Sequence, residues 1–234
     1  MHLPDGFINP NLASGFGFAA VGAIVFAINK VKQAVTEPTA QAALAGVGNT
    51  VRSISGKAGK SLSRFGQEYL VKMGLVSALV FAAQMFNFPI ASGTSGHLIG
   101  GVLAAVLLGP WGGFLAITAV VMIQALFYAD GGLLVLGTNI INMALIGAVF
   151  GYYTYSGLRK KLPELLAIGL AAWSSVFLAA LACSIELWFS GTYAIAQVLP
   201  AMLSVHAVIG IAEALITITL VQVSKAVMGW EEVK

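Results

Sequence analysis

The first residues of the chain, Met1-His2-Leu3-Pro4-Asp5-Gly6, place a histidine beside the N-terminal amine. The amine and the backbone nitrogen of His2 can close a five-membered chelate ring around a metal ion, and that backbone nitrogen and the imidazole Nδ1 can close a six-membered ring. Three nitrogens then lie roughly in one plane and leave one in-plane position for a further imidazole. Such sites suit Ni(II), Cu(II) and in some cases Co(II), whereas Zn(II) prefers a tetrahedron. Alone the pattern is weak, because a Met-His start can be an accident of the reading frame.

The composition is that of an integral membrane protein. Hydrophobic residues make up 59% of the 234 residues and charged residues only 9%, whereas an average soluble domain carries about 25% charged residues. The pI is about 9.0, but the basic residues fall between apolar segments and do not indicate nucleic-acid binding. The lone cysteine, Cys183, lies in an apolar run and is predicted to be a packing residue. No secretory signal precedes the first apolar run, so an uncleaved N-terminus is expected.

Seven apolar segments are candidates for membrane-spanning helices, which need roughly 20 residues. We therefore expect an all-α integral membrane protein, a bundle of about seven transmembrane helices in a single domain over residues 1–234. The span from about His97 to Leu108 is short, and the Gly- and Ser-rich stretch from Ala91 to His97 indicates a break at membrane depth. The other predicted spans are about Asn11 to Ile28, Leu70 to Phe88, Trp111 to Tyr128, Asn139 to Tyr155, Glu164 to Phe189 and Leu199 to Val223.

The basic residues predict the orientation of the bundle. All twelve Lys and Arg residues lie between or at the ends of the first two spans, between the fifth and sixth, or after the seventh. With seven spans these places fall on one side, which is the cytoplasmic side by the positive-inside rule. The N-terminus is then outside and the C-terminus cytoplasmic. An alternative with six spans, in which the third and fourth merge, would put Lys225 and Lys234 outside.

Two subregions are expected to have their own roles. Residues 1–10 form the metal-chelating N-terminal segment, and residues 31–68 form a cytoplasmic connection rich in Ala, Gly, Ser and Lys. That composition favours a solvated linker over a short amphipathic helix. Small residues also recur every four positions in the first span, at Gly15, Ala19, Ala23 and Ala27. This stripe could either pack inside the bundle or bind a partner membrane subunit.

The predicted topology brings His97 to the same outer face as His2, where it could be the further imidazole. His206 lies about two turns into the seventh span on the same side. It shares a helix face with Glu213, seven residues later. Glu213 could pair with His206, bind a proton or brace the bundle, and bracing is favoured.

Other polar residues near this face are predicted to have structural roles. Asp5 could orient an imidazole or form a turn with Gly6, and the turn is favoured. Glu186, near the outer end of the sixth span, is expected to be solvated. Four residues are expected to bind the N-terminal segment and the neighbouring loop through hydrogen bonds, namely Thr94, Ser95, Asn139 and Asn142.

The chain lacks the phosphate-binding motif of a self-powered pump. Gly59-Lys60-Ser61 is the nearest match, but the required earlier glycine is replaced by Ile54. The sequence also shows no arginine ladder of a voltage sensor and no internal repeat typical of two-fold transporters.

Four groups of residues together resemble the CbiM/NikM family, the substrate-binding (S) components of energy-coupling-factor transporters for cobalt and nickel. They are Met1–Phe7, Ser92–Leu98 with Gly100-Gly101 and Leu108–Trp111, Ala129–Gly132 with Asn139 and Asn142-Met143, and His206–Thr217. These groups spread over nearly the whole chain in order, on the side that the topology predicts. The 31–68 connection is longer than the resemblance implies, which bears on partner docking rather than on the metal site.

The resemblance implies a transport subunit of a prokaryotic cell membrane rather than an enzyme. It would capture Co(II) or Ni(II) outside as the transported ligand, with no resident cofactor, and carry the ion inward by turning in the lipid bilayer. The implied partners are a transmembrane coupling (T) subunit and two ATPase subunits, with or without a small accessory membrane subunit. The implied ligands are the Met1 amine, the backbone nitrogen and imidazole of His2, and the imidazole of His97.

Two other functions remain open at this point. A vitamin-binding S component of the same fold would need an aromatic-lined pocket. An intramembrane hydrolase would use Ser95 or Ser204 as nucleophile and His206 as base, but residues two apart do not face each other on a helix, and no Gly-x-Ser-x-Gly motif occurs.

The sequence does not choose between cobalt and nickel, because both accept nitrogen ligands. Ordinary pKa values of about 8 for the amine and 6.5 for the imidazoles predict that metal affinity falls below neutral pH.

Overall fold

The computed structural model describes residues 2–36, 64–85, 88–90 and 94–228 of the chain. The first half of this part contains α1 (Pro10–Thr36), α2 (Arg64–Gln84), a small antiparallel hairpin of β1 (Phe88–Ile90) and β2 (Thr94–Gly96), α3 (Gly101–Leu108) and α4 (Pro110–Phe127). The second half contains α5 (Leu136–Ile140), a π-helical segment π1 (Ile141–Phe150), α6 (Gly151–Leu158), α7 (Glu164–Phe189) and α8 (Ile195–Met228). Since α5, π1 and α6 follow one another without a break, they form one long helical segment.

Five helical segments in the described ranges are long and apolar enough to cross a membrane. They are Pro10–Val35, Pro110–Phe127, Leu136–Leu158, Glu164–Phe189 and Ile195–Val227. The molecule is therefore a helical multi-pass membrane protein, as the composition predicted. The count of seven spans and the orientation of the termini stay predictions. One of the seven, α3, has eight residues, or about 12 Å of helix, against a hydrocarbon core of roughly 30 Å.

The third and fourth predicted spans are two separate helices that pack against each other. Gly109 adopts φ 77° and ends α3, and Pro110 is the first residue of α4, a position where its missing N–H costs nothing. A Cβ atom added to Gly113 would lie 2.6 Å from the Cα of Ala105, so the two helices fold back on each other. They are therefore not one continuous helix, and whether the chain has six or seven spans stays a prediction.

The short helix α3 lies at the centre of the bundle. All eight of its residues are buried, and it packs against α2, α4, π1, α6, α7 and α8. A Cβ added to Gly101 would lie 2.4 Å from the carbonyl carbon of Gly147 in π1, so these two backbones touch. Small residues allow such close approach between helices in lipid.

Helix α1 is peripheral, and its packed face differs from the predicted stripe. Ala13, Ala20 and Ala27 are buried, whereas Gly15 and Ala19 are exposed. The packed residues are seven apart, because α1 packs along one face, mainly against α4 and α5 and less against α2 and π1. Of the predicted stripe, Gly15, Ala19, Ala23 and Ala27, only the last is fully buried.

The predicted 31–68 connection is helical at both ends. Its first residues continue α1 to Thr36, and its last residues belong to α2, which begins at Arg64. The prediction of a linker or a short amphipathic helix concerns residues 37–63, which lie outside the described residues.

The bundle has two distinct ends. At one end the N-terminal segment meets the loops before α5 and α8, through Gly132 and Thr192. At the other end Lys225 of α8 forms an ion pair with Glu164, the first residue of α7. One end of the bundle thus carries the N-terminal segment and its loops, and the other end carries a Lys–Glu ion pair.

Gly101→Ala should destabilise the protein, because the added methyl group meets the backbone of Gly147, which cannot rotate away. Overpacked cores lose about 1–3 kcal/mol, and the apparent unfolding temperature in detergent should fall accordingly. Gly15→Ala is the matched control, because a Cβ there meets nothing within 4 Å. Equal unfolding temperatures for the two variants would contradict the close contact between α3 and π1.

Candidate functional site

The N-terminal segment is bound to the bundle through the backbone of Leu3. The Leu3 N–H donates to Oδ1 of Asn139 at 2.9 Å, and Nδ2 of Asn139 donates back to the Leu3 carbonyl at 3.1 Å. The Gly132 N–H donates to the same carbonyl at 2.8 Å. The Leu3 side chain is fully buried. The position of the residue next to His2 is therefore set by both polar and apolar contacts.

Asp5 binds the loop before α5. Its carboxylate accepts hydrogen bonds from the Leu133 N–H at 3.2 Å and the Leu134 N–H at 2.9 Å. It does not orient an imidazole, since neither His2 nitrogen has a hydrogen-bond partner. Asp5 and Gly6 do form a turn, but the backbone closes it through the Phe7 N–H and the Pro4 carbonyl at 3.4 Å.

The remainder of the segment is bound to the loop before α8. The Thr192 hydroxyl donates to the Phe7 carbonyl, and the Asn9 N–H donates to the Ser190 hydroxyl. Asn9 also accepts from the Asn11 N–H at 2.9 Å, as an N-cap residue does at the start of a helix. Every second residue from Leu3 to Asn9 thus has a hydrogen bond to a loop or helix end.

This arrangement brings His2 and His97 together. Their ring centroids are 4.7 Å apart with 35° between the ring planes, and the side chains are only 4% and 0% exposed. The His97 Nδ1 lies 2.6 Å from the Leu98 carbonyl, which fixes the proton on Nδ1 because a carbonyl can only accept. The His97 Nε2 and both nitrogens of His2 have no hydrogen-bond partner.

The turn after α4 packs directly on the His2 ring. Gly131 adopts φ +95°, and a Cβ there would lie 2.8 Å from the His2 Nδ1 and 3.0 Å from Nδ2 of Asn139. Ala129 in the same turn adopts φ 52°, which is uncommon for a residue other than glycine. Only a residue without a side chain fits at position 131 while His2 occupies this place.

His97 is positioned through Ile99, two residues later. Glu213 of α8 accepts hydrogen bonds from the N–H groups of Ile99 at 2.9 Å and Gly100 at 2.7 Å. Gln84 of α2 donates to the Ile99 carbonyl at 2.6 Å. The Glu213 carboxylate also lies at the start of α3, where free N–H groups and the helix dipole favour negative charge.

His206 is also buried, and its Nδ1 lies 2.8 Å from the Met202 carbonyl one turn earlier. Its Nε2 has no hydrogen-bond partner. Ser204 is exposed and donates to the Ala201 carbonyl, so it lies on a different face of α8 from His206. The two residues do not face each other, as their spacing along the helix predicted, so they do not pair as nucleophile and base.

Glu186 and Asn142 form a pair between α7 and π1. Nδ2 of Asn142 donates to Glu186 Oε2 at 2.6 Å, and both side chains are buried. The prediction of a solvated Glu186 is wrong, because this residue faces π1 rather than the outer loop. Asn142 accordingly joins π1 to α7 instead of binding the N-terminal segment.

Burial lowers the pKa of both histidines at the site. The pKa of His2 falls to about 3, mainly through burial and also through the charge of the nearby N-terminal amine. Burial likewise lowers the pKa of His97 well below its usual 6.5. Both rings are therefore neutral at physiological pH, each with at least one nitrogen lone pair available. The sequence-based assumption of imidazoles that titrate near 6.5 is wrong for these two residues.

Three of the predicted site residues fall on undescribed parts. Met1 lies outside the described residues, and so do the side chains of Thr94 and Ser95 in β2. Among the described residues no three His, Cys, Asp or Glu side chains are grouped as metal ligands.

Sequence reasoning did not single out Gln84 or Gln124. Both are buried, and each has an amide atom without a hydrogen-bond partner. The available signal was the presence of a polar amide within an apolar helix, since such side chains usually form hydrogen bonds to a neighbouring helix.

Comparison with known proteins supports a role in metal transport. Residues 38–229 match the family model CbiM, described as cobalt uptake substrate-specific transmembrane region. NikMN of Archaeoglobus fulgidus, which is named as a fused nickel transport protein, is 33% identical over 93% of this chain, and this chain spans 63% of its length. The cobalt transport protein CbiM of Sorangium cellulosum is 36% identical over 51% of this chain and 56% of its own.

A crystal structure of a truncated transition metal transporter has a similar fold. It superposes with a TM-score of 0.78 and 32% sequence identity, over 95% of this chain and 97% of that one. The similarity in structure therefore covers the N-terminal half as well as the long helices α7 and α8.

Acidification should destabilise the metal-free protein through its buried histidines. Because the pKa values of His2 and His97 are lowered, the unfolded chain binds protons that the folded chain does not, from pH 6.5 downward. Each ring then costs up to about 1.4 kcal/mol per pH unit. The unfolding temperature between pH 7 and 5 should fall less steeply in His97→Asn than in the wild type. Identical slopes would mean that His97 titrates normally in the folded protein.

Glu213→Gln should destabilise the His97 region, because an amide cannot accept from both N–H groups as a carboxylate does. We expect a loss of about 1–3 kcal/mol in unfolding free energy and faster hydrogen exchange at Ile99 and Gly100. Glu164→Gln is the control, because the partly exposed pair with Lys225 should contribute less than about 1 kcal/mol. A loss of similar size in both variants would argue against the role of Glu213.

Proposed function

We propose that this chain, which belongs to the CbiM family of cobalt uptake substrate-specific transmembrane regions, captures a divalent cobalt or nickel ion between His2 and His97. Its family and its helices make it a membrane component of a metal uptake system. The capture of the ion by the N-terminal segment is the specific part of the proposal.

The observation that supports the proposal best is the separation of the two buried rings. Metal–imidazole bonds are about 2 Å long. Two imidazoles in neighbouring positions on one ion, with a nitrogen–metal–nitrogen angle of about 90°, therefore have ring centroids roughly 4–5 Å apart. The rings of His2 and His97 are 4.7 Å apart and have unpartnered nitrogens. Buried polar atoms rarely lack a partner, so these nitrogens suit a ligand that binds from outside.

The proposed donors are four nitrogens. They are the Met1 amine, the backbone nitrogen and Nδ1 of His2, and Nε2 of His97. The Leu3 contacts with Asn139 position His2, and the contacts of Ile99 with Glu213 and Gln84 position His97. A planar set of four nitrogens suits Ni(II) and can accept Co(II). Because both rings are already neutral, the ion displaces protons only from the amine and the backbone nitrogen.

Transport would depend on partner chains. We propose that the protein is the S component of an energy-coupling-factor transporter, with a transmembrane coupling subunit and two ATPase subunits as its partners. Ion capture would occur outside the cell, and turning of this chain within the membrane would carry the ion inward. The lack of a phosphate-binding motif in the sequence fits a chain that relies on others for ATP hydrolysis.

A vitamin as substrate is a weaker candidate. A cavity of about 430 Å³ opens beside the N-terminal segment, and its lining contains no aromatic residue. It is lined by Gly6, Ile8, Asn9, Pro10, Ala13, Ser14, Gly17, Leu134, Val135, Ser190 and Thr192. A flat ring system would find no stacking partner there.

Calorimetry with Ni(II) and Co(II) tests the proposal on purified protein whose mass shows an intact, unblocked Met1. We expect one ion per chain and release of about two protons near neutral pH. Four alanines added before Met1 should weaken binding at least about a hundredfold, or roughly 3 kcal/mol, because the amine is then too far from the histidine to close the five-membered ring. Four alanines added after Lys234 are the control and should leave the affinity unchanged.

Other outcomes would contradict the proposal in different ways. Binding that the N-terminal extension leaves intact would move the site to His97 and His206. Absence of binding by either metal would favour an organic substrate instead.

A further inference from the structure

Gln124 is a polar residue in the interior of the described structure whose side chain lacks hydrogen-bond partners. Its side chain is fully buried in the last turn of α4, and neither its amide oxygen nor its amide nitrogen has a hydrogen-bond partner. An unsatisfied buried group costs about 1–3 kcal/mol. A side chain placed at this cost is expected to bind something that the metal-free protein does not contain.

The backbone places Gln124 beside His2. The Gln124 carbonyl accepts from the N–H groups of Tyr128 at 3.0 Å and Asp130 at 3.1 Å, so it ends α4 and begins the next turn. The following residue of that turn, Gly131, packs on the His2 Nδ1. An interaction with the Gln124 side chain raises the pKa of His2 and so offsets part of the lowering caused by burial. The amide therefore lies next to the ring, although neither His2 nitrogen makes a hydrogen bond of regular geometry.

The chemistry of the chelate supplies the missing partner. A neutral imidazole that binds a metal ion through Nδ1 carries its proton on Nε2. Metal-bound histidines almost always donate this second N–H to a carboxylate, carbonyl or water. His2 is 4% exposed, so bulk water has little access to the ring, and a protein acceptor is needed.

We propose that Gln124 is a positioning residue for His2: its amide oxygen accepts a hydrogen bond from the His2 Nε2–H while Nδ1 binds the ion. The inference rests on the proposed capture of a metal ion by the N-terminal chelate. The hydrogen bond selects the tautomer in which Nδ1 is free for the ion, and it fixes the rotation of the ring. The amide already lies beside the ring without a hydrogen bond of regular geometry, and binding of the ion through Nδ1 leaves the proton on Nε2, where the amide oxygen can accept it.

The test compares nickel binding by the wild type, Gln124→Leu and Gln124→Glu, with Ni(II) chloride as the only ligand. Loss of such a second hydrogen bond costs 10–100-fold in metal affinity, and we expect a loss of this size in Gln124→Leu. Gln124→Glu, which offers an oxygen acceptor at the same position, should recover most of the affinity. Thr118→Val is the matched control, because Thr118 is buried on the same helix with an unpartnered hydroxyl.

Two readouts separate positioning from folding. The unfolding temperature of the Gln124→Leu protein without added metal should equal or exceed that of the wild type, because neither amide atom has a hydrogen bond of regular geometry to lose. Square-planar Ni(II) is diamagnetic, so NMR of protein labelled at histidine nitrogens should show a slowly exchanging Nε2–H for His2 in the loaded wild type. That signal should exchange rapidly in Gln124→Leu.

The outcomes distinguish this inference from the function on which it rests. Unchanged nickel affinity in Gln124→Leu, with the N-terminal extension still abolishing binding, would overturn the role of Gln124 and leave the chelate intact. A fall in the metal-free unfolding temperature that matches the loss of affinity would assign Gln124 to folding and also overturn it. Failure of the wild type to bind nickel would overturn both proposals together.

Discussion

The two hydrogen bonds between the Asn139 amide and the backbone of Leu3 determine the geometry of this end of the molecule. An N-terminal segment has only one covalent connection, so its register against the bundle depends on noncovalent contacts. A shift by one residue would move His2 by about 3.3 Å, more than a metal–nitrogen bond length. Asn139 prevents the shift because its amide matches both the N–H and the carbonyl of one residue. The hydrogen bonds of Asp5, Phe7 and Asn9 fix the same alignment of the segment against the bundle.

The two histidines are positioned in the same indirect way. In each case the ring keeps a nitrogen free, and side chains from elsewhere in the chain bind the backbone of a nearby residue. Asn139 binds the neighbour of His2, whereas Glu213 and Gln84 bind Ile99, two residues after His97. This division of roles allows a ring to be well ordered while one of its nitrogens stays without a hydrogen bond. It also explains why buried polar side chains surround the site in a bundle that is otherwise apolar.

The sequence predicted the helical membrane fold and the family, because hydropathy, charge placement and short motifs are local properties. The same topology argument placed His97 and His2 on one face. It did not predict that Asn142 pairs with Glu186, or which residues of α1 are packed. Those features depend on the rotation of each helix about its axis, and nearly uniform apolar helices carry little information about that rotation. Gln124 was missed for the same reason, and α3 was too short for its length to decide whether the chain crosses the membrane there.

The burial of the two rings has a kinetic consequence. Since His97 is fully buried and His2 nearly so, a ligand reaches their nitrogens only if surrounding groups move, and the N-terminal segment is bound by hydrogen bonds to the loops before α5 and α8. Several hydrogen bonds must break together for this segment to open, so opening is a cooperative event with its own rate. Association at high ligand concentration would then reach a plateau set by that opening rate rather than by diffusion. The residence time of a bound ligand would depend on the rate of the same opening of the N-terminal segment.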